Sequence, residues 1–178
     1  MNEYIIFKNY INEQFGGEDE IKWKSLKHNG VLFPKKYEKH NIPLLYNGKE
    51  IFLTKIQEEY ATYYAKYIKT DYIKIKKFNK NFWNDWSKIL GKNHEIQSLE
   101  NCDFSNISNY IEKKKENKKN LNKSEKELKK KLKNDKEKKY KFAIINDIKQ
   151  PIDNYKIEPP GIFIGRGSHP KIGKIKKR

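Results

Sequence analysis

Near its C-terminus the chain reads Ile157-Glu158-Pro159-Pro160-Gly161-Ile162-Phe163-Ile164-Gly165-Arg166-Gly167-Ser168-His169-Pro170-Lys171. Two adjacent prolines fix φ and lack backbone donors, so Pro159-Pro160 ends any regular element and sets a stiff bend. The glycines that follow, at 161, 165 and 167, permit close backbone approach. Arg166 sits between two of them. Among 40 Lys+Arg, only Arg166 and Arg178 are arginine. A guanidinium is a planar fork that bonds two acceptors at once or enters a narrow minor groove, which an ammonium does less well. Local chemistry leaves two readings open: a Gly/Pro surface loop with one solvated arginine, or a loop that lays backbone and arginine against a nucleic acid.

The bulk numbers favour a polyanionic partner. The formal net charge is +17 over 178 residues, and such a field attracts phosphate whatever its origin. Part of the lysine excess fits an AT-rich coding bias, since Asn and Ile are abundant too. Length allows one domain or two small lobes. A hydrophobic content of 35% and a mean hydropathy of −1.06 imply a compact part with a charged, solvated remainder. Twelve Tyr, nine Phe and three Trp predict an aromatic core. Cys102 is the single cysteine, which excludes an intramolecular disulfide and a cysteine metal cluster. No apolar run approaches the ~18–20 residues of a membrane span. The start, Met1 to Tyr10, carries Glu3 and does not read as a secretory signal.

Residues 1–20, with Gly16-Gly17 and Glu18-Asp19-Glu20, read as a short helix or a flexible lead-in. Short strands are expected between Ile21 and Phe33, with Trp23 either packed or on a basic strand touching phosphate. Asn47-Gly48 between Leu44-Leu45-Tyr46 and Ile51-Phe52-Leu53 predicts a β-hairpin. Thr54 and Gln57 form a capping-box pattern, and Ile56, Tyr60, Tyr63, Tyr64, Tyr67 and Ile68 give the helix after it an apolar stripe. A second helix is expected from about Ile73 to Leu90, burying Phe78, Phe82, Trp86 and Ile89. Asp103 or Ser105 caps a third, with Phe104, Ile107 and Ile111 one turn apart. Residues 113–141 hold fifteen lysines against five acids. They predict two long charged helices joined near Asn120–Asn122, either a solvated pair laced by Lys/Glu contacts or a positive arm facing phosphate. Phe142 to Asn146 reads as a buried strand, and Pro151 as a break. The basic tail from Lys171 reads like a chain cut in mid-domain.

No self-contained catalytic set is present. The sequence holds no P-loop, no His-Glu-x-x-His and no metal-ligand cluster, so no catalytic residue, metal or cofactor is assigned. His28, His40 and His94 are scattered and read as structural or solvated. His169 is set apart by its place in the Gly-rich loop.

Two stretches carry a specific resemblance: Ile21-Lys22-Trp23-Lys24-Ser25-Leu26-Lys27-His28-Asn29-Gly30 with the Phe33-Pro34 step, and Lys156 to Lys171. Between them Ala61-Thr62-Tyr63-Tyr64-Ala65-Lys66, Asn81-Phe82-Trp83-Asn84-Asp85-Trp86 and Cys102-Asp103-Phe104 fall in matching order. Over roughly residues 20–178 the chain resembles the N-terminal core of eukaryotic type IB DNA topoisomerases. These enzymes cut one strand of duplex DNA with a tyrosine that becomes linked to a 3′-phosphate, and need neither ATP nor metal.

The resemblance implies a DNA-embracing cap lobe at 21–141, with 113–141 as projecting basic helices, a lead-in at 1–20, and the start of the next subdomain at 142–178. It implies that the catalytic pentad lies in the remaining C-terminal part of the enzyme, that this part alone is inactive, and that the enzyme is nuclear. By position, Arg166 matches an arginine that reaches the minor groove. Phe163 and Gly165 match positions shaping the pocket for camptothecin-type poisons, which bind only the complete enzyme–DNA complex. Asn154, Glu158, His169 and Lys176 match neighbours of DNA or of such poisons, and Lys171 joins them as a DNA contact. Ile164 stands where a basic residue is usual and Ser168 where asparagine is usual, so no phosphate contact is carried over to Ile164. The expected fold is α+β: a small β portion with a hairpin, a helical cap and a projecting pair of long basic helices. The partner is double-stranded DNA, with no membrane. The rival reading is a standalone, non-enzymatic nucleic-acid-binding protein.

Overall fold

The computed structural model describes residues 24–165 and 169–176. The lead-in at 1–20, Trp23 and Arg166 lie outside the described residues. The fold is α+β, with four α-helices and small antiparallel sheets among the described residues. The chain divides into two compact units, one from Met1–Leu32 and Lys133–Tyr155, the other from Phe33–Leu132 and Lys156–Arg178.

The second unit holds the aromatic core. Its first sheet is the expected hairpin, β2 (Leu44–Tyr46) against β3 (Lys49–Ile51). Asn47 and Gly48 both take positive φ, at 50° and 79°, as a tight hairpin turn needs. β4 (Cys102–Asp103) adds to the other edge of β2. The Cys102 thiol donates to the Ser98 carbonyl at 3.3 Å, and burial pushes its pKa up to about 12. That removes the thiolate on which cysteine chemistry depends.

Helix α1 (Lys55–Ala65) starts where the sequence places it, with the Thr54 amide donating to Gln57 Oε1 at 2.9 Å. A 3₁₀ turn (Asp71–Lys74) leads into α2 (Lys76–Leu90). On α2, Phe78, Phe82 and Trp86 recur every four residues and are fully buried, as the stripe predicted, but Leu90 continues the series and Ile89, expected there, is only half-buried. Tyr64 of α1 stacks on Phe82 with centroids 4.3 Å apart, and Phe104 closes the other side at 4.8 Å. The Trp86 indole donates to the Gln57 carbonyl at 3.1 Å, so the polar end of this ring is satisfied.

The predicted stripe of α1 needs correction. Tyr63 and Tyr64 are buried and Tyr60, Tyr67 and Ile68 pack on the core as expected, but Ile56 is 59% exposed and the buried face also takes in Gln57, Glu58, Ala61, Thr62 and Ala65. Polar residues occupy core positions here because they are fully partnered. The Glu58 carboxylate accepts from the Tyr37 hydroxyl (2.8 Å) and from the amides of His40 (2.7 Å) and Asn41 (3.0 Å). Those bonds staple the loop before β2 onto α1. His40, read as structural or solvated, is structural: the Ile42 amide donates to Nδ1 at 3.0 Å, so Nε2 carries the proton and donates to Thr62 Oγ1 at 2.9 Å.

Burial holds the His40 pKa below the usual imidazole value. Lys114 and Lys39 push the same way, against the opposing pull of the Glu58 carboxylate at 3.6 Å. The unfolded imidazole therefore binds its proton first as pH falls. This contribution is complete above the unfolded imidazole's pKa of about 6.5 and is lost across the range below it. Denaturation midpoints measured across that range should fall on acidification. The slope should flatten in His40→Gln, and an unchanged slope would assign the effect elsewhere.

Helix α3 (Ser105–Lys119) begins with the Ser105 amide bonded to Asp103 Oδ1 at 2.8 Å, and buries Ile107. Helix α4 (Lys123–Lys138) starts with a reciprocal cap: Asn122 Oδ1 accepts from the Glu125 amide, and Glu125 Oε2 from the Asn122 amide. The break near Asn120–Asn122 is thus built by Asn122. Leu128 and Leu132 are 58% and 61% exposed, so burial is not what forms α4.

In the first unit, β5 (Phe142–Ile145) pairs with β1 (Leu26–Lys27) and with β6 (Ile148–Pro151), all antiparallel. Asn146 and Asp147 make the β5–β6 turn with positive φ. Asn146 Oδ1 then accepts the Lys24 amide at 2.7 Å. β5 is a strand as predicted but not a buried one: only its Ala143 is buried, and Ile144 is 38% exposed. Pro151, read as a break, is the last residue of β6. It pairs with Phe142 at the outer strand of the sheet, where a missing amide costs no ladder bond. Tyr155 is buried and donates to Glu137 Oε2 at 3.0 Å.

Candidate nucleic-acid interface

After Pro159-Pro160 the chain forms a hairpin. β7 (Gly161–Ile162) pairs with β8 (Ile175–Lys176), and the ladder continues through the Phe163 amide to the Lys174 carbonyl (2.8 Å) and the Gly173 amide to the Phe163 carbonyl (2.9 Å). Ile162 and Ile172 anchor the hairpin in the aromatic core.

Three features of α2 hold the hairpin. Asn81 Nδ2 donates to the carbonyls of Pro170 (3.1 Å) and Ile172 (2.7 Å). Asp85 Oδ2 accepts the Ile175 amide at 3.0 Å. Gly173, at φ +85°, lies so close to the backbone of Phe78 that a Cβ would come within 2.7 Å of the Phe78 Cα. Asn81 and Asp85 stand one helical turn apart beside the Phe78–Phe82–Trp86 stripe. Both belong to a stretch that carries the family resemblance, but the sequence gives neither a task. The available signal is polar residues at helical spacing flanking a buried stripe.

Phe163, Gly165 and His169 are packed just as tightly. The Phe163 and His169 rings lie 4.8 Å apart, and a Cβ on Gly165 would meet both, at 2.8 Å from His169 Cγ and 3.0 Å from Phe163. His169 Nδ1 accepts the Lys171 amide at 3.1 Å. The Lys176 ammonium bonds the Glu158 carboxylate and lies 5.8 Å from the centre of the Phe163 ring. The structure thus brings Glu158, Phe163, Gly165, His169, Lys171 and Lys176 onto one hairpin and its approach. Asn154 is exposed and belongs to the other unit.

The lysines of α3 and α4 are exposed from Lys113 through Lys138. Among the described residues, ion pairs touching these helices are Lys69–Glu112 at 2.6 Å and Lys141–Glu137 at 3.9 Å. Most of the lysines have no carboxylate partner among the described residues, so their charge is available to a ligand. No group of three or more His, Cys, Asp or Glu could hold a metal, and no helix is long and apolar enough to cross a membrane, among the described residues.

Residues 21–178 match the family described as eukaryotic DNA topoisomerase I, DNA binding fragment. The chain belongs to this family. It is 48% identical over 162 residues to DNA topoisomerase 1 beta of Arabidopsis thaliana, covering 91% of this chain and 18% of that protein. It is 42% identical over 163 residues to DNA topoisomerase 1 of Homo sapiens, covering 89% and 21%. It is 40% identical over 178 residues to DNA topoisomerase 1 of Candidozyma auris, covering 97% and 24%. The chain thus spans about a fifth of the length of these topoisomerases. The matched region is the N-terminal one, and in this topoisomerase chain it includes the pinned hairpin, α2 beneath it and both lysine-rich helices.

Proposed function

We propose that this chain is the duplex-embracing N-terminal part of a nuclear eukaryotic type IB DNA topoisomerase. The observation that carries the reading is the hairpin mount. Ile162, Ile172, Gly173, Asn81 and Asp85 fix the β7–β8 hairpin to α2, and Arg166 follows Gly165 directly in the chain. A side chain that must enter a groove gains from such a mount, because less conformational freedom is lost on binding.

In this reading Arg166 contacts the minor groove, with Phe163, Gly165 and His169 shaping the surface beside it. Lys171 and Lys176 face phosphates, and Glu158 and Asn154 lie near the DNA. Residues 21–141 are the cap lobe, and 142–178 begin the next subdomain. The lysines of 113–141 attract the duplex over distance without reading its sequence. Strand cleavage through a 3′-phosphotyrosine, and the sites for camptothecin-type poisons, belong to the complete enzyme on DNA. The 178 residues on their own leave supercoiled plasmid unrelaxed.

The test is binding of the chain to a labelled duplex across a salt series. Affinity should fall log-linearly with salt. Each phosphate-neutralising lysine of 113–141 that is changed to glutamine should flatten the slope by about 0.9. Arg166→Ala should weaken binding about tenfold at every salt concentration. No binding at low salt, or relaxation of plasmid by the isolated chain, would refute the reading.

A further inference from the structure

A second basic surface lies on the first unit, whereas the hairpin belongs to the second. Cross-strand partners share one face of an antiparallel sheet, so the register Lys27↔Ile144↔Lys149 places these three side chains in a row across β1, β5 and β6. Phe142, two residues before Ile144, lies on the same face. The Lys149 ammonium sits 4.1 Å from the centre of the Phe142 ring.

Lys138 and Lys139 close one end of this face, where Asn29 Nδ2 donates to the Lys139 carbonyl at 2.8 Å and fixes the wall. The groove so formed has a volume of about 550 Å³. Its lining has four lysines, an apolar floor and no carboxylate among the described residues.

We propose that this groove binds single-stranded nucleic acid, with a base against Phe142 and Ile144 and the flanking phosphates on Lys27, Lys149, Lys138 and Lys139. Charge complementarity fixes the sign of the ligand, and the floor decides its class. A duplex shows its phosphates outward and keeps its base faces stacked, so it would leave the apolar floor uncovered. An unstacked base offers a flat apolar face between two phosphates, which is the pattern here. Displacement by the base frees Lys149 from the Phe142 ring to meet a phosphate.

The test uses the full 178-residue chain and a labelled oligothymidylate of about ten nucleotides, read by fluorescence anisotropy across a salt series. Lys27 and Lys149 are exposed, so the Lys27→Gln/Lys149→Gln variant keeps the fold. It should lower the log–log salt slope by about 1.4, at roughly 0.7 per phosphate on a single strand. Phe142→Leu should weaken oligothymidylate binding about tenfold, while Phe142→Tyr keeps it. Arg166→Ala should leave oligothymidylate binding unchanged, and the groove variants should leave duplex binding unchanged, which separates this site from the hairpin. Equal affinity of parent and groove variants for oligothymidylate would overturn the proposal. So would a polyglutamate peptide that binds with the same lysine dependence while Phe142→Leu changes nothing for either ligand.

Discussion

Gly173→Ala should destabilise the second unit by about 2–5 kcal/mol and, on the proposed reading, abolish the hairpin's share of duplex binding along with it. Two costs combine. At φ +85° an L-residue enters left-handed backbone space, worth about 1–2 kcal/mol. The new methyl is also driven into the Phe78 carbonyl, which is helix backbone and cannot rotate away. Overpacking of this kind costs about 1–3 kcal/mol. Relief requires lifting the hairpin from α2, which breaks the Asn81 and Asp85 bonds and withdraws Ile172 from the core. Gly161→Ala is the control. A Cβ there meets nothing within 4 Å, so its midpoint should stay within about 0.5 kcal/mol of the parent. Urea denaturation with duplex titration of both variants checks this. Equal behaviour would mean that the hairpin does not depend on its packing against α2.

Trp86→Ala should cost about 3–5 kcal/mol, a large part of the ~5–15 kcal/mol by which a domain of this size is stable. The ring is fully buried, stacked on Phe82 at 5.5 Å and tilted against Phe104 at 5.8 Å. Truncation opens a cavity among rings that cannot collapse without leaving their own partners. It also removes the indole donor at 3.1 Å from the Gln57 carbonyl, whose other lone pair serves the α1 ladder. Trp86→Phe retains most of the packing and isolates the hydrogen bond, so it should cost about 1–3 kcal/mol. A thermal midpoint for Trp86→Phe as low as that for Trp86→Ala would place the loss in the indole bond rather than in packing.

Local chemistry is legible in the sequence wherever neighbours in the chain decide the outcome. Asn47-Gly48 makes its turn, Gln57 caps its helix, and Phe78, Phe82 and Trp86 turn inward together. Asn122 sets the break between the two lysine-rich helices. Distant partners are harder to read. Glu58 looks like a surface residue until Tyr37, His40 and Asn41 surround it. Ile144 looks buried until the sheet proves to have an open face. At the candidate interface, the glycines around Arg166 stand out in the sequence. Gly173 carries the closest approach to a neighbouring helix, and nothing near it in sequence names Phe78 as its neighbour. Tertiary packing decides such positions, and hydropathy cannot see it.

Neither unit is a continuous piece of chain. The Lys24 amide finds its Asn146 partner 122 positions further on, and the aromatic core receives Ile162 and Ile172 only after both lysine-rich helices have been made. On a ribosome, which emits the N-terminal end first, the helices and the β2–β3 hairpin can form from local contacts. The two closing steps must wait for the strands at 142–145 and 161–176, because long loops are closed late and slowly. The hairpin that presents the candidate contact residues is thus seated after the helices it packs against. On the proposed reading, the lysines of 113–141 are thus offered to a polyanion before the hairpin's contacts are in place.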